Sequence, residues 1–378
     1  MKTYDKIEQV KERIIDVELL KIAKTKNKYF TRERKIKFSD ILFFTLNKRG
    51  LSLKMEINNF EEIVGKFGEV SESALCQQRK KIDPVAFKIL NKEYIENSYE
   101  NERDYKTLKG YIVTAIDGTI LELPNVESLK KEYGVAQGKE EQRISVRVQG
   151  SCLYDVVNNW VIDAQISKSN TSERELAKIH VKNLNEILKE IGKKEIIKKI
   201  IIIFDRGYPS IEMIYMLEQM GIKYLFRAKK SSLTKEFEKM NSEDEEIKNV
   251  AKNKLELENF SGQSKLVVEQ EFYAQMLMMN IAEDLRKEAN QKVKAGKEQG
   301  CKYDYKVNMN VLIGLMRKKF VYILIQMALN HDKKAAKEYD EMIELMSKSL
   351  VPIRPNRSND RNRYKGYNKY KTNMRRNS

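Results

Sequence analysis

The sequence predicts an α/β fold, a mixed sheet flanked by helices, with a helical region on either side of it. Three observations predict it. Near residue 110 the pattern changes from charged helical periodicity to the apolar run YIVTAIDGTILELP. Further on, the run KKIIIIFD is of the type buried on both faces of a sheet. Between 110 and 230 the predicted order is three strands, helix, strand, helix, strand. That order makes an antiparallel meander beside strands joined by helical crossovers.

The elements follow in chain order. Residues 1–30 read as an amphipathic helix that runs into a basic stretch, Lys24 to Lys37. FSDILFFTLNKR, 38–49, is a second helix with Ser39 as its cap. From Val70 to Tyr99 the caps Ser71 and Ser73 start a helix, Asp83-Pro84 breaks it, and Pro84 opens the next. Its polar side carries Gln77, Gln78, Arg79, Lys80 and Lys81, suited to DNA contact or simply to water. SVRVQGSCLYDVV and NWVIDAQIS are strands joined by a tight Asn158-Asn159 turn. Residues 171–191 form a helix capped by Thr171 or Ser172. IEMIYMLEQM is a helix stopped by Gly221, and IKYLFRAKK is a strand. Residues 231–259 are strongly charged and lack strand signals. Helices are expected over 267–289, 305–326 and 332–349, with the Met276, Met278 and Met279 stripe as core filler. From Val351 the chain is basic and reads as a disordered arm for a phosphate backbone.

Composition narrows the function. The 378 residues carry a net charge of +17 and a pI near 9.4. Such an excess favours a polyanionic partner, because neutralising phosphates releases counterions. Three distant cysteines and two histidines exclude a zinc finger and read as thiols in a reducing cytoplasm. No apolar run approaches the roughly 18 residues of a membrane span. The start, MKTYDKIEQVKERI, has a charged helix pattern unlike a signal peptide.

Two aspartates sit where chemistry would place them. Asp117 interrupts an apolar strand and is followed by Gly118-Thr119, and Asp205 ends the Ile/Phe strand and is followed by Arg206-Gly207-Tyr208. Ligand sites of α/β sheets lie at strand carboxyl ends. An acid there is costly to bury unless it binds a cation or hydrogen-bond donors. Two such acids, with a third from a helix, can hold a pair of Mg²⁺ or Mn²⁺ ions for in-line phosphodiester displacement. The plainer reading is that both aspartates cap turns.

AIDGT, NTSEREL, IIIFDRGYPS, LELENFSG, VEQEFYA and VPIRPNRS together resemble the DDE transposases of the insertion-sequence-four family. The resemblance runs from about residue 28 to the C-terminus. It implies an RNase H-like catalytic domain at 106–350, a helical DNA-binding region at 1–105 and a basic tail at 351–378. It also implies transposon-end duplex DNA as partner, homodimer formation and a bacterial, nucleoid-associated location. Asp117 and Asp205 are then the first two catalytic carboxylates, with Arg206 on phosphate. Lys80, Lys81 and Arg79 would contact DNA from the helical region, and Arg354 and Arg357 from the tail.

The third carboxylate of that family lies on a helix, in a Tyr, Arg, Glu, Lys series shortly before the LELENFSG segment. Counting back places the lysine at Lys252 and the glutamate at Glu245. The arginine and tyrosine positions hold Asn241 and Glu238 instead. Only about 25 residues separate YLFRAKK from LELENFSG, where the family carries a β-rich insertion. The sequence therefore predicts a shortened insertion near 231–250. Two readings stay open: a two-metal transposase with Asp117, Asp205 and Glu245, or an internally deleted copy that only binds DNA.

Overall fold

The computed structural model describes residues 2–32, 34–65, 70–137, 144–227, 260, 262–295 and 304–353. They pack as two compact units, Lys88–Asn253 and Lys2–Phe87 with Lys254–Ser378. This division by packing runs differently from the functional regions drawn at 105 and 350.

The N-terminal stretch forms two helices where one was expected, α1 (Thr3–Ile15) and α2 (Val17–Ala23). Asp16 is extended and its carboxylate accepts the Glu18 N–H at 2.9 Å, so one residue ends α1 and caps α2. The next helix, α3 (Phe38–Asn47), lies where the pattern put it. Its start is set by Asp40, which accepts the Lys37 N–H at 2.7 Å, and not by Ser39. A further helix, α4 (Leu53–Val64), went unnoticed in the sequence, and Gly65 terminates it at φ 69°. Ser71 caps α5 (Glu72–Arg79) as expected, and Asp83 accepts the Val85 N–H at the start of α6 (Val85–Tyr99).

The sheet of the Lys88–Asn253 unit is built from β1 (Ile112–Leu123), β2 (Ala136–Gln137), β3 (Ile144–Asp155), β4 (Trp160–Lys168), β5 (Ile200–Phe204) and β6 (Lys223–Phe226). Helix α7 (Glu127–Tyr133) follows β1, α8 (Glu173–Glu190) follows β4, and α9 (Ile211–Met220) joins β5 to β6. Leaving out the two-residue β2, the strands lie side by side as β4-β3-β1-β5-β6. The first three are antiparallel, while β1, β5 and β6 are parallel. This is a mixed sheet flanked by helices, with the antiparallel meander at one end that the sequence predicted. Asn159 takes φ 60° in the β3–β4 turn, as an Asn-Asn turn allows.

The parallel strands are held by their apolar side chains. Ile200, Ile202 and Phe204 are at most 1 % exposed and pack with Ile112, Ile116, Val181, Leu184 and Trp160. Each such side chain contributes roughly 1.5–3 kcal/mol on burial. Helix α8 turns Leu176, Ala177, Val181, Leu184 and Leu188 inward at helical spacing. It is pinned by a buried polar chain: His180 Nδ1 lies 2.6 Å from Asp163 Oδ2 and its Nε2 lies 2.9 Å from Ser151 Oγ.

In the other unit the long helix α10 (Lys265–Ala295) packs with α1, α3, α11 (Met309–Ala328) and α12 (Asp332–Lys348). Helix α11 begins at Met309, with Asn308 accepting the Asn310 N–H, and not at Tyr305. Residues 304–307 form β7, paired antiparallel with β8 (Leu350–Ile353). Val351 to Ile353 are therefore strand and not arm. The rest of the proposed tail lies outside the described residues. No helix among the described residues is long and apolar enough to cross a membrane.

Candidate active site

Strand register brings the two sequence-predicted aspartates together. The parallel ladder of β1 and β5 runs from Ile112 opposite Ile200 to Ile116 opposite Phe204. Asp117 and Asp205 are each the next residue. They leave the ladder at one level on adjacent strands, which lie about 4.8 Å apart. On its other side Asp117 faces Cys152 of β3.

Both residues are exposed as a whole, yet partial burial of the Asp117 carboxyl raises its pKa, and the Asp205 charge raises it further. The Gly118 N–H, donating to Asp117 Oδ1 at 2.9 Å, acts in the opposite direction. Asp205 has a cation beside it, Arg227 at the end of β6, with Nη1 to Oδ1 at 3.7 Å. Arg206 is exposed and follows Asp205 directly.

A third acid enters from α8. Glu173 opens that helix, and its carboxylate lies between the glycines that follow the two aspartates. A Cβ on Gly118 would stand 2.9 Å from Glu173 Oε1, and a Cβ on Gly207 would stand 3.2 Å from Oε2. Burial raises the Glu173 pKa, and the charges of Asp117 and Asp205 raise it more, against a hydrogen bond from Gln149 Nε2 at 3.4 Å. Arg174 ties the same helical turn to the second loop, its Nε donating to the Gly207 carbonyl at 2.9 Å. Under this cluster the Tyr208 side chain is 1 % exposed, and its hydroxyl has no hydrogen-bond partner among the described residues. Burial pushes the phenol pKa up, followed by the charges of Glu173, Asp117 and Asp205. Cys152 is pushed up to about 12, mainly by burial, and stays a thiol at neutral pH.

Sequence reading missed Glu173. The signal was present in NTSEREL, where an acid occupies the first turn of a helix that follows the meander. An acid in a first helical turn also suits the helix dipole, so it does not stand out as a site residue.

The donors are carboxylate oxygens, the chemistry that hard divalent cations prefer. The glycine cradle and the unpartnered Tyr208 hydroxyl are consistent with a polar ligand there. Among the described residues no group of three or more His, Cys, Asp or Glu side chains is disposed to hold a metal ion as it stands.

The remaining predicted site residues are placed as follows. Glu245, Lys252, Arg354 and Arg357 lie outside the described residues. Lys80 is exposed and Lys81 half-buried. Arg79 is turned inward: it is 4 % exposed, with Nε to Gln270 Oε1 at 2.9 Å and Nη1 to Glu271 Oε1 at 3.1 Å. Lys48 meets the same Glu271 at 2.5 Å. Removing Arg79 would leave a buried carboxylate short of a partner, so its place in the structure is in the core and not on a DNA-facing surface.

Residues 108–259 match the family model described as the transposase DDE domain. No curated protein matches the chain. Among solved structures, the chain is similar to a piggyBac transposase synaptic complex with hairpin DNA, at 9 % identity and a TM-score of 0.41, covering 88 % of this chain and 84 % of that one. It is also similar to a pre-cleavage Mos1 transpososome, at 11 % identity and a TM-score of 0.22, covering 68 % of this chain and 82 % of that one.

Proposed function

We propose that the chain is a DDE transposase of the insertion-sequence-four type, which cleaves and rejoins DNA strands at transposon ends. The observation that carries this reading is the register that sets Asp117 and Asp205 side by side, each one residue past the last β1–β5 pair, inside the segment that matches a transposase DDE domain. In this proposal residues 1–105 bind DNA, 106–350 carry the chemistry, and a homodimer pairs two ends.

Asp117 and Asp205 would hold Mg²⁺, with Glu245 as the third ligand that the resemblance implies. When bound, such ions activate water and stabilise the leaving oxygen of an in-line displacement. The chain's own residues do the rest. Glu173 adds negative charge that an incoming cation would neutralise. Gly118 and Gly207 leave room for that carboxylate to approach both loops. Arg206, exposed beside Asp205, would meet a phosphate, and Lys252 would share that role by resemblance.

A second reading has one observation in its favour. Arg227 already supplies a cation to Asp205, which suits a chain that binds ends without cutting them. Strand cleavage of an end-containing duplex with Mg²⁺ separates the two, with the chain compared against Asp205→Asn. Cleavage by the first and not the second supports the transposase. Salt-sensitive binding with no cleavage by either supports the binder.

A further inference from the structure

The loop that joins α2 to α3, with parts of α1, α2, α3 and α5, lines a half-open cavity of about 660 Å³ within the helical unit, a size that suits a small organic ligand. Its lining combines two kinds of surface. One wall is apolar and open to water: Ile15 and Val17 are 49 % and 59 % exposed, and Tyr29 and Phe30 extend that wall. Phe30 is held at φ 57°. Bulky side chains rarely adopt that conformation, and such outliers gather at ligand clamps.

The other wall is cationic. Five basic side chains line the cavity against one carboxylate, Asp16. Asp16 is occupied by the Arg13 guanidinium and the Glu18 N–H. The cations press on one another: burial lowers the Lys81 pKa, and the Arg34 charge lowers it further. Lys81 Nζ lies 2.8 Å from Gln78 Oε1 and 5.4 Å from the centre of the Tyr29 ring. An apolar wall beside crowded cations matches a ligand with a flat apolar part and a strongly anionic part. Proteins that grip single strands combine aromatic faces with basic grooves in this way.

We infer that this cavity binds an unpaired nucleotide of a DNA strand, with its phosphates on Arg34 and Lys81 and its base against Tyr29 and Phe30. The class of ligand rests on the DNA reading above, while the site itself rests on the cavity. Within the Lys24–Lys37 stretch the basic residues then serve a defined pocket and not only a diffuse charge.

The test uses the full chain, a single-stranded oligonucleotide carrying one 2-aminopurine, and the double variant Arg34→Ala/Lys81→Ala. The wild-type chain should bind it and change the fluorescence of the probe base as it leaves water. The double variant should fold normally, since it removes two crowded like charges. It should lose on the order of tenfold in affinity and all of the fluorescence change. The slope of log K against log salt should shrink by about 1.4, two contacts at roughly 0.7 each on a single strand. Unchanged affinity, slope and fluorescence in the double variant would overturn the inference, as would displacement by an acidic peptide with no response to the oligonucleotide. Tyr29→Ala, with the cations intact, should abolish the fluorescence change and keep the slope, and retention of that change would also overturn it. A chain that cuts no duplex but shows these responses loses the transposase reading and keeps the pocket.

Discussion

The acidic end of the sheet and the basic cavity of the helical unit are electrostatic opposites built by different means. At the sheet, three carboxylates gather, and the pKa values of Asp117 and Glu173 rise, first through burial and then because neighbours share their sign. In the cavity, cations gather, and the Lys81 pKa falls, again first through burial and then through the like charge of Arg34. The acids are fixed by a strand register with a packed apolar layer beneath it. The cations stand on a loop shaped by local turns. Moving an acid means moving a ladder, whereas a basic side chain can shift alone. The acidic end should therefore respond to substitution in large steps, and the cavity in graded ones.

The largest step is expected at the aspartates. Asp117→Asn or Asp205→Asn should lower Mg²⁺-dependent strand cleavage on the order of 10³-fold or more, since metal stabilisation of the reacting oxygens is worth several kcal/mol. Neither change should lower the melting temperature much, and Asp117→Asn should raise it slightly at pH 7, because folding raises the Asp117 pKa. Cleavage that survives either change would remove the acidic end from the chemistry and leave the contrast one of charge alone.

Next comes Gly118→Ala. The new Cβ would collide with Gln149 Nε2 and stand 2.9 Å from Glu173 Oε1. Both are ends of flexible side chains that can swing away, so the fold should survive. Cleavage should fall by up to about 10²-fold, the cost of a misplacement near 1 Å. Normal cleavage would show that Glu173 has no bearing on the reaction.

His180→Ala tests the seat of α8. It would strip Asp163 and Ser151 of their ring partner. The expected loss is about 1–3 kcal/mol of stability, read from urea or thermal unfolding. Cleavage measured well below the melting temperature should fall less than in Gly118→Ala. A larger fall in cleavage would mean that the helix, and not the strand register, sets the acidic geometry.

How much of this was legible in sequence follows from the same contrast. The sheet announced itself, because period-two strands, an all-apolar run and an Asn-Asn turn are local patterns with few alternatives. Asp117 and Asp205 were legible for that reason, since an acid interrupting or ending such a run stands out. Glu173 was not, because its use depends on the two glycine loops reaching α8 through space. Arg79 misled for a similar reason: QQRKK looks like a solvated basic face, but Gln270 and Glu271, some 190 residues on, draw the arginine into the core. The N-terminal helix was read as one because α1 and α2 continue one amphipathic pattern, and only the capping geometry of Asp16 divides them. The short strand at 304–307 was hidden by its partner at 350–353, since a pairing that distant leaves no local trace.

The smallest expected effect is also the most direct comparison of the two regions, because it needs no reaction. Folding raises the pKa values of Asp117 and Glu173 above their ordinary 3.8 and 4.5. Their contribution to stability is fully present below those ordinary values and is lost as pH climbs through the raised ones. Folding lowers Lys81 below its ordinary 10.5. Its contribution is present above that value and is lost as pH falls through the lowered one. Near neutrality both regions therefore carry unrelieved like charge, and each should be relieved by a ligand of opposite sign. Glu173→Gln should raise the metal-free melting temperature at pH 7 by about 1–3 °C, the scale of partly exposed like charges. It should leave the melting temperature unchanged once the pH drops below 4. With Mn²⁺ added, the wild-type chain should gain more stability than the variant, because the ion neutralises a charge that the variant lacks. Arg34→Ala should show the opposite dependence, stabilising at pH 7 and losing that advantage above pH 10.5. If Glu173→Gln lowers stability at pH 7 without metal, the acids are already balanced within the fold, and Arg227 rather than a divalent ion is the cation that Asp205 was built to meet.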